Sequence, residues 1–425
     1  MKILLIAYLY APFQDPQALR WYYLSNALCE NGCEIDVLTV RNPMRDYFSS
    51  YHPNLRILRV YPGPIEAIAL KKRSLMQRDG IGNREKEGSI NFIILKAGYL
   101  ALRYLFSLIF PGDVRTEWFP YALRYISGNL DLSRYDWIIT SHEPWVDSLL
   151  GLFLKKRYGI RWVADFGDPY VAPYTARTKI FLETRLERAV YRNADVLIVT
   201  SSELRDLLLT KYQFLQEKPI LLVRQGFPKW FLNHTSIESD QADKSSLRIF
   251  YAGTFYEDFR NPVPLFKAVS SLRMRGFKLD LYVAGRNEGF QKYLKDSNGS
   301  IKFLGFVPHN EIPGHISKSH VLLCMTNRMK TQIPGKFFEY LGTDKPILCI
   351  SYDFDNEVVR LMKELSRGWV CKNDEGEIQR TLIKIYEAWV ENHDLWPRLS
   401  PLIDYSYESQ AEKLLTTLRL LKNSV

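Results

Sequence analysis

Ile333-Pro-Gly-Lys-Phe-Phe-Glu-Tyr-Leu-Gly-Thr-Asp-Lys-Pro-Ile-Leu-Cys-Ile350 is the stretch on which the reading of the whole sequence turns. Pro334 and Gly335 punctuate a loop, 336–341 have the length of a short helix, Gly342 stops it, and 346–350 is an apolar run of buried-strand length. A helix-to-strand step of this kind belongs to a nucleotide-binding type of sheet. Lys336 and Glu339 are three apart and leave one helix face, beside a helix N-terminus at Gly335 whose free N–H groups attract phosphate. From these residues alone two readings stand. One is an i,i+3 ion pair on a solvated face. The other is a grip on a sugar nucleotide, with the ammonium and the helix end on the diphosphate and Glu339 accepting both ribose hydroxyls. Each such charge-assisted bond contributes roughly 1.5–3 kcal/mol.

At 425 residues the chain exceeds what one hydrophobic core supports, so two domains are expected. With 46% hydrophobic and 24% charged residues it is globular, and a formal charge of +10 points to an acidic partner. Composition leaves nucleic acid, an anionic membrane surface and a phosphorylated substrate open. The five cysteines (Cys29, Cys33, Cys324, Cys349, Cys371) form no C-x-x-C pair and read as reduced cytosolic thiols. The opening Met1-Lys-Ile-Leu-Leu-Ile-Ala-Tyr8 reads as a buried first strand and not as a signal peptide, since Phe13-Gln-Asp-Pro16 offers no small-residue cleavage site.

Strand 2–8, helix 17–30 and strand 34–40 make a β-loop-α-β opening of a doubly wound sheet, without the G-x-G-x-x-G of a nicotinamide or flavin site. Residues 71–87 hold six bases and three acids loosened by Gly80 and Gly82, and read as a mobile basic loop. The apolar run 90–110 is long enough for a bilayer, but Lys96 and Arg103 lie on one face of it and are costly in lipid. It reads as an interfacial amphipathic helix on an anionic membrane, or as a core helix with two snorkelling cations. Strand 137–140 carries Ser141-His142-Glu143 at its carboxyl end, and a strand ending at Ala164 delivers Asp165 and Asp168 into a loop broken by Gly167 and Pro169. Polar residues 233–246 mark a junction, after which strands 247–252, 278–284, 301–304, 321–325 and 346–350 alternate with helices, as in a second Rossmann-like sheet. Asp353-Phe-Asp355 reads as helix capping and not as a metal site. The glycine of Gly253-Thr254, after the first of these strands, lets backbone approach a phosphate.

The run P-G-K-F-F-E-Y-L-G-T-D-K-P-I-L (334–348) resembles the donor-binding segment of GT-B glycosyltransferases, in particular family 4 and the 4-like group. Those enzymes often carry two glutamates with seven residues between them; here Glu339 is the second and Thr331 stands in the first position. The segment G-T-F-Y followed by Arg260-Asn-Pro is similar to the family's G-T-L-Y and R-D-P, Gly285-Arg286 ends the next strand likewise, and Gly305-Phe-Val-Pro-His309 is similar to its G-x-V-x-x. In the first half, W-V-A-D-F-G-D-P-Y (162–170) is similar to W-V-A-D-F-R-D-P-W, and Gln225-Gly-Phe227 to the N-G-F that closes the first domain.

The resemblance implies an α/β protein of the GT-B class, two Rossmann-like domains facing a cleft. Residues 1–232 would bind acceptor, 247–400 nucleotide sugar, and 405–425 would pack back on the first domain. It implies transfer of a sugar from a nucleotide-diphosphate sugar to a glycan or polyprenyl-linked acceptor, in bacterial surface polysaccharide synthesis, with no metal or other cofactor and no nucleic acid. The location implied is cytoplasmic, peripheral at the inner face of the membrane through 71–110, and closure over the donor would expel water. Donor-binding residues are then Gly335, Lys336, Glu339, Gly253, Thr254, Arg260, Arg286 and Val307. Asp168 and Asp165 are candidate general bases if configuration inverts, or loop caps. His142 orients a sugar or shuttles a proton, or is structural. Arg20 meets donor phosphate or acceptor, or is a solvated helix residue. Two rivals are a nucleotide-sugar epimerase or hydrolase on the same fold, and a non-catalytic basic binding protein.

Overall fold

Runs such as Ile3-Leu-Leu-Ile6 are apolar without alternation, so both faces of the strand must be covered, which parallel strands joined by helices achieve. The computed structural model describes all residues except 47, 49, 79–111, 172–174, 236–244, 286–287, 392–395 and 424–425. Strands β1 (Lys2–Ile6), β2 (Glu34–Val40), β3 (Leu55–Val60), β4 (Trp137–His142), β5 (Trp162–Phe166), β6 (Val196–Val199) and β7 (Ile220–Leu222) form one sheet. Its order is β3-β2-β1-β4-β5-β6-β7, every pair parallel. Strands β8 (Leu247–Ala252), β9 (Leu279–Ala284), β10 (Ile301–Gly305), β11 (Val321–Met325), β12 (Ile347–Ser351) and β13 (Gly368–Lys372) form the other, in the order β10-β9-β8-β11-β12-β13, also all parallel. These are two Rossmann-like sheets of the GT-B type. Strand order reverses between β1 and β4 and between β8 and β11, and the carboxyl ends at such reversals are where ligands bind in open α/β sheets.

Two compact units result. One comprises Met1–Thr200, Leu204–Val223 and Ala411–Val425, the other Ser201–Glu203 and Arg224–Gln410. The junction lies at Val223/Arg224, ahead of the polar stretch from which the sequence sets it, and the last helix, Tyr407–Asn423, begins in the second unit and ends in the first.

Several local differences from the sequence reading have physical reasons. Residues 71–78 belong to a helix, Pro64–Arg78, and not to a mobile loop. Its first turn is held by Glu117, which accepts from the Glu66 amide at 2.6 Å and from the Ile65 amide at 3.3 Å, and Leu70 is buried beneath it. The rest of the basic loop and the run 90–110 lie outside the described residues. Among the described residues no helix is long and apolar enough to cross a membrane. Strands β3 and β13 are sheet edges whose charged ends, Arg56 and Lys372, dilute the apolar signal. The D-x-D does not cap the helix Glu357–Glu364: Asn356 does, accepting from the Val359 amide at 3.0 Å, while Asp353 and Asp355 hold Lys330 at 2.7 and 3.3 Å.

Gly226 shows how closely chain meets chain. A Cβ there would lie 2.4 Å from the Tyr405 carbonyl oxygen, where Phe227 bridges Ser406 and its carbonyl accepts from the Tyr407 amide at 2.9 Å. Gly226→Ala should lower stability by about 1–3 kcal/mol through this overpacking. Gly314→Ala, in a helix with open space around it, should be neutral or slightly stabilising; denaturant midpoints of the two variants check the contrast.

Candidate functional site

In the first unit the carboxyl ends of β4 and β5 carry the residues singled out from the sequence. β5 runs on through Phe166, so Asp165 is a strand residue and not a loop residue, and it is wholly buried. Its Oδ2 accepts from the Arg20 guanidinium at 2.6 Å, the Trp21 indole at 2.8 Å and the Gln17 amide at 2.8 Å. Arg20, equally buried, also donates to the Val223 carbonyl at 2.8 Å. It is therefore neither a solvated helix residue nor open to a phosphate; its charge is taken up by Asp165. Gln17 donates further to Ser141 Oγ at 3.0 Å, fixing the helix Pro16–Glu30 to the ends of both strands.

His142 closes β4 and is 1% exposed, with the rings of Tyr170, Phe166 and Trp145 at 4.1, 5.6 and 5.9 Å. Desolvation alone pushes its pKa down to about 3, so the imidazole is neutral at physiological pH and its Nδ1 has no hydrogen-bond partner among the described residues. A neutral ring of this kind accepts or relays a proton but brings no charge to a site. Asp168 is half-buried on the loop after β5. That loop is pinned by Gly167, whose carbonyl accepts from Thr200 Oγ1 at 2.9 Å.

Sequence reasoning missed a group of acids at the same reversal. Tyr8, just after β1, donates its amide to buried Asp147 at 2.9 Å and its hydroxyl to Glu66 at 3.2 Å. Burial raises both carboxyls, and that of Glu143 beside His142. Arg115, paired with Asp113 at 3.4 Å, pulls the other way on all three. No pattern links positions 8, 66, 115 and 147 in the sequence; only the sheet does.

In the second unit the reversal between β8 and β11 is spanned by one side chain. Arg260 donates to Asn327 Oδ1 after β11 at 3.0 and 2.8 Å and to the Tyr251 hydroxyl on β8 at 3.0 Å. Its Nη1 also reaches the Thr254 carbonyl at 3.4 Å, and Tyr256 and Arg260 exchange backbone bonds that close the loop into a hairpin. Gly253 opens this loop, its amide donating to the Ala284 carbonyl at 2.8 Å, and a Cβ there would meet the Tyr251 hydroxyl at 2.9 Å. The close approach is why glycine stands there.

The helix Gly335–Leu341 lies against the same end. Phe337, Phe338, Tyr340 and Leu341 are buried, and the Tyr340 hydroxyl accepts from the Ala252 amide at 3.0 Å, one residue before Gly253. Lys336 Nζ donates to Glu339 at 2.9 and 2.7 Å, and His309, four residues beyond β10, approaches the same carboxylate at 3.4 Å. The i,i+3 ion pair is thus present, but the solvated face it was read on is not: the Glu339 side chain is 9% exposed and that of Lys336 27%. Burial pushes the Glu339 pKa up; the charges and hydrogen bonds of Lys336 and His309 outweigh it and hold the carboxyl down at about 2. Val307 is half-buried between β10 and His309, and Arg286 lies outside the described residues. His309, Asn327 and Tyr340 are the partners sequence reasoning missed; the G-x-V-x-x resemblance covering His309 was the available signal.

Residues 17–226 match the family model of a glycosyl transferase 4-like domain and residues 246–388 that of glycosyl transferases group 1. No curated protein matches the sequence. Among solved structures, sucrose-phosphate synthase from Thermosynechococcus elongatus is similar at 16% identity over 100% of both chains, TM-score 0.65. The catalytic domain of starch synthase IV from Arabidopsis thaliana, bound to ADP and acarbose, is similar at 10% identity over 100% of both, TM-score 0.62. Anabaena HepE in complex with UDP and glucose follows at 12% identity over 99% of both, TM-score 0.60. At these identities the likeness to solved structures is one of fold.

Two buried ionisable groups make acid stability readable. Glu339 titrates at 4.5 ordinarily and about 2 when folded, so its stabilisation is complete above 4.5 and is lost as pH falls toward 2. His142 goes from 6.5 to about 3, so the unfolded chain takes up its proton first and stability declines as pH falls from 6.5 toward 3. Melting temperature against pH should lose the lower window in Glu339→Gln and the upper one in His142→Phe. Arg20→Ala, which strands Asp165 as a buried lone charge, should cost about 3–5 kcal/mol by denaturant unfolding, with partial recovery in the Arg20→Ala/Asp165→Asn double variant.

Proposed function

The chain belongs to the GT-B glycosyltransferases, as a 4-like domain followed by a group 1 domain, and from that premise we propose that it moves a sugar from a nucleotide-diphosphate sugar to a glycan or lipid-linked acceptor. The observation that carries the reading is Glu339: a carboxylate buried yet ionised, held by Lys336 and His309 beside the strand-order reversal of the second unit. A ligand with two vicinal hydroxyls and a diphosphate matches both halves of that pair. The ribose hydroxyls donate to Glu339, taking over the share now given by Lys336, and the freed ammonium meets the diphosphate. His309 keeps hold of the carboxylate meanwhile.

Arg260 supplies a second cation, pre-aimed by Asn327, and Gly253 and Thr254 bring backbone close to the phosphates. Gly335 opens the helix bearing Lys336, Val307 follows β10, and Arg286 is counted among the donor residues on the resemblance of its segment alone. With two fixed cations on the leaving diphosphate, the charge that develops as the bond from the anomeric carbon to phosphate oxygen breaks is met by protein groups, and we assign no metal to the step. The acceptor oxygen forms the new bond to the anomeric carbon. If configuration inverts, its proton passes to half-buried Asp168, while buried His142 acts only as a positioning residue packed on Tyr170 behind that loop. Asp165 acts through Gln17, Trp21 and Arg20, which it positions. The setting proposed is bacterial surface polysaccharide synthesis at the inner face of the membrane, with 71–110 contributing to contact with an anionic surface.

Glu339→Ala should weaken binding of nucleoside diphosphates by more than about tenfold in calorimetry, the loss of one or more charge-assisted bonds; unchanged affinity would remove the site. Incubation with labelled UDP-, GDP- and CMP-sugars and bacterial lipid extract should put label into the extract. Label released as free or epimerised sugar without any acceptor would identify a hydrolase or epimerase instead.

A further inference from the structure

The loop after β8 is a fixed hairpin with an exposed tip. Tyr256 and Arg260 pair across it, each amide donating to the other's carbonyl, at 3.2 and 2.8 Å. Its stem is bound at several points. Phe255 stacks on Tyr251 at 4.3 Å, and the Phe259 carbonyl accepts from the Arg328 amide at 3.2 Å. The Asn261 amide donates to the Tyr352 hydroxyl at 2.7 Å, and the Asn261 carbonyl accepts from Asn373 Nδ2 at 3.0 Å. The side chains at the tip nevertheless stand in solvent: Tyr256 is 51% exposed and Phe259 39%, with Glu257 and Asp258 exposed between them. Among the described residues the Tyr256 side chain has no hydrogen bond and no ring contact, and neither acid is in an ion pair.

Antiparallel partners project their side chains from one face, with Cβ atoms roughly 4.5–5.5 Å apart, so the Tyr256 ring stands beside Arg260. Arg260 is held only by neutral oxygens, those of Asn327, Tyr251 and Thr254, and its charge has no counterion in the protein among the described residues. That charge suits a phosphate, which the free carboxylates of Glu257 and Asp258 would repel. An aromatic ring next to two free carboxylates is instead what a sugar requires: the ring covers the apolar C–H face of a pyranose, and the carboxylate oxygens accept from its hydroxyls. The direction along the ligand follows. With the ribose on Glu339 and the diphosphate between Lys336 and Arg260, what lies beyond Arg260 is the group carried on the second phosphate.

We propose that Tyr256 is a specificity-determining residue of the donor site: its ring packs on the transferred sugar of a nucleotide-diphosphate sugar, while Glu257 and Asp258 accept from that sugar's hydroxyls. The inference rests on the reading of Glu339, Lys336 and Arg260 as the grip on the nucleotide, and it adds the part of the ligand which that grip leaves unheld. Two tasks are thereby separated. Glu339, Lys336 and Arg260 recognise what every nucleoside diphosphate carries, and the hairpin tip recognises what distinguishes one donor from another. Two negative charges at the tip disfavour a sugar that is itself acidic, so the class implied is a neutral sugar and not a uronic acid.

The test is calorimetry on the full chain with UDP and UDP-glucose, with GDP and GDP-mannose, and with the two corresponding uronic acid donors. In Tyr256→Ala the affinity for the sugar nucleotide that the parent binds should fall roughly fivefold or more, and Tyr256→Phe should stay close to the parent. The affinity for the matching nucleoside diphosphate should be unchanged. So should the melting temperature, because the ring is exposed and the hairpin is closed through its backbone. The uronic acid donor should bind more weakly than the neutral one, and Glu257→Gln/Asp258→Asn should narrow that gap. The proposal is overturned by a loss in Tyr256→Ala that the nucleoside diphosphate shares equally, which would put the ring on the nucleotide. It is overturned as well by equal sugar-nucleotide affinity in Tyr256→Ala and the parent, or by a parent that binds the diphosphates but neither neutral sugar nucleotide. A parent that binds no nucleoside diphosphate at all overturns the reading of Glu339, and the proposal with it.

Discussion

A carboxylate inside a protein must be paired or protonated, because an isolated charge in a poorly polarisable interior costs more than folding can supply. Much of this structure answers that constraint. Asp165 is met by Arg20 and two neutral donors, Glu187 by Lys211 and Tyr212, Glu357 by Arg224 and the Ser202 amide, and Glu339 by Lys336 and His309. The answers differ in one respect that bears on function. Arg20 and Asp165 are both sealed, so their pair can only be structural scaffolding. Lys336 is a quarter exposed while its partner is buried, so this pair, unlike the first, has its cation open to solvent.

The parallel sheets decide where such a cation stands. Strand order reverses once in each sheet, and the gap between flanking loops there admits a ligand. In the second unit that gap is lined by the Gly253 loop, by Arg260 stretched across it to Asn327, and by a short helix tied to β8 through Tyr340. The helix is too short to be stable by propensity. Four buried side chains and the Tyr340 bond hold it, which fixes Glu339 without any contribution from the ligand.

Charge works on two scales. The formal excess of +10 announces an acidic partner without locating one. Folding sorts it: on the helices Trp145–Tyr158 and Arg177–Asn193 of the first unit the acids turn inward to satisfy amides, a hydroxyl and Lys211 and the arginines are left outside, whereas in the second unit Arg260 is held by Asn327 and Lys336 by Glu339.

Element type was largely written into the chain. Continuous apolar runs bounded by glycine and proline fixed β1, β2, β8 and β11, and the run 333–350 fixed the helix-strand step, because backbone burial and turn geometry are local matters. Lys336 and Glu339 were legible as a pair from their spacing. Whether that pair is solvated was not, since burial of Glu339 depends on His309, thirty residues away, and on Tyr340 reaching β8. The fate of Arg20 and Asp165, 145 positions apart, was likewise invisible: each reads as a surface or loop charge until the helix Pro16–Glu30 is laid on β5. The sequence by itself determined the parallel α/β architecture and the residue types at the strand ends. Only the tertiary structure decided which charges face each other and which face water, because electrostatic energy depends on separation in space and on the surrounding dielectric, and neither is encoded in separation along the chain.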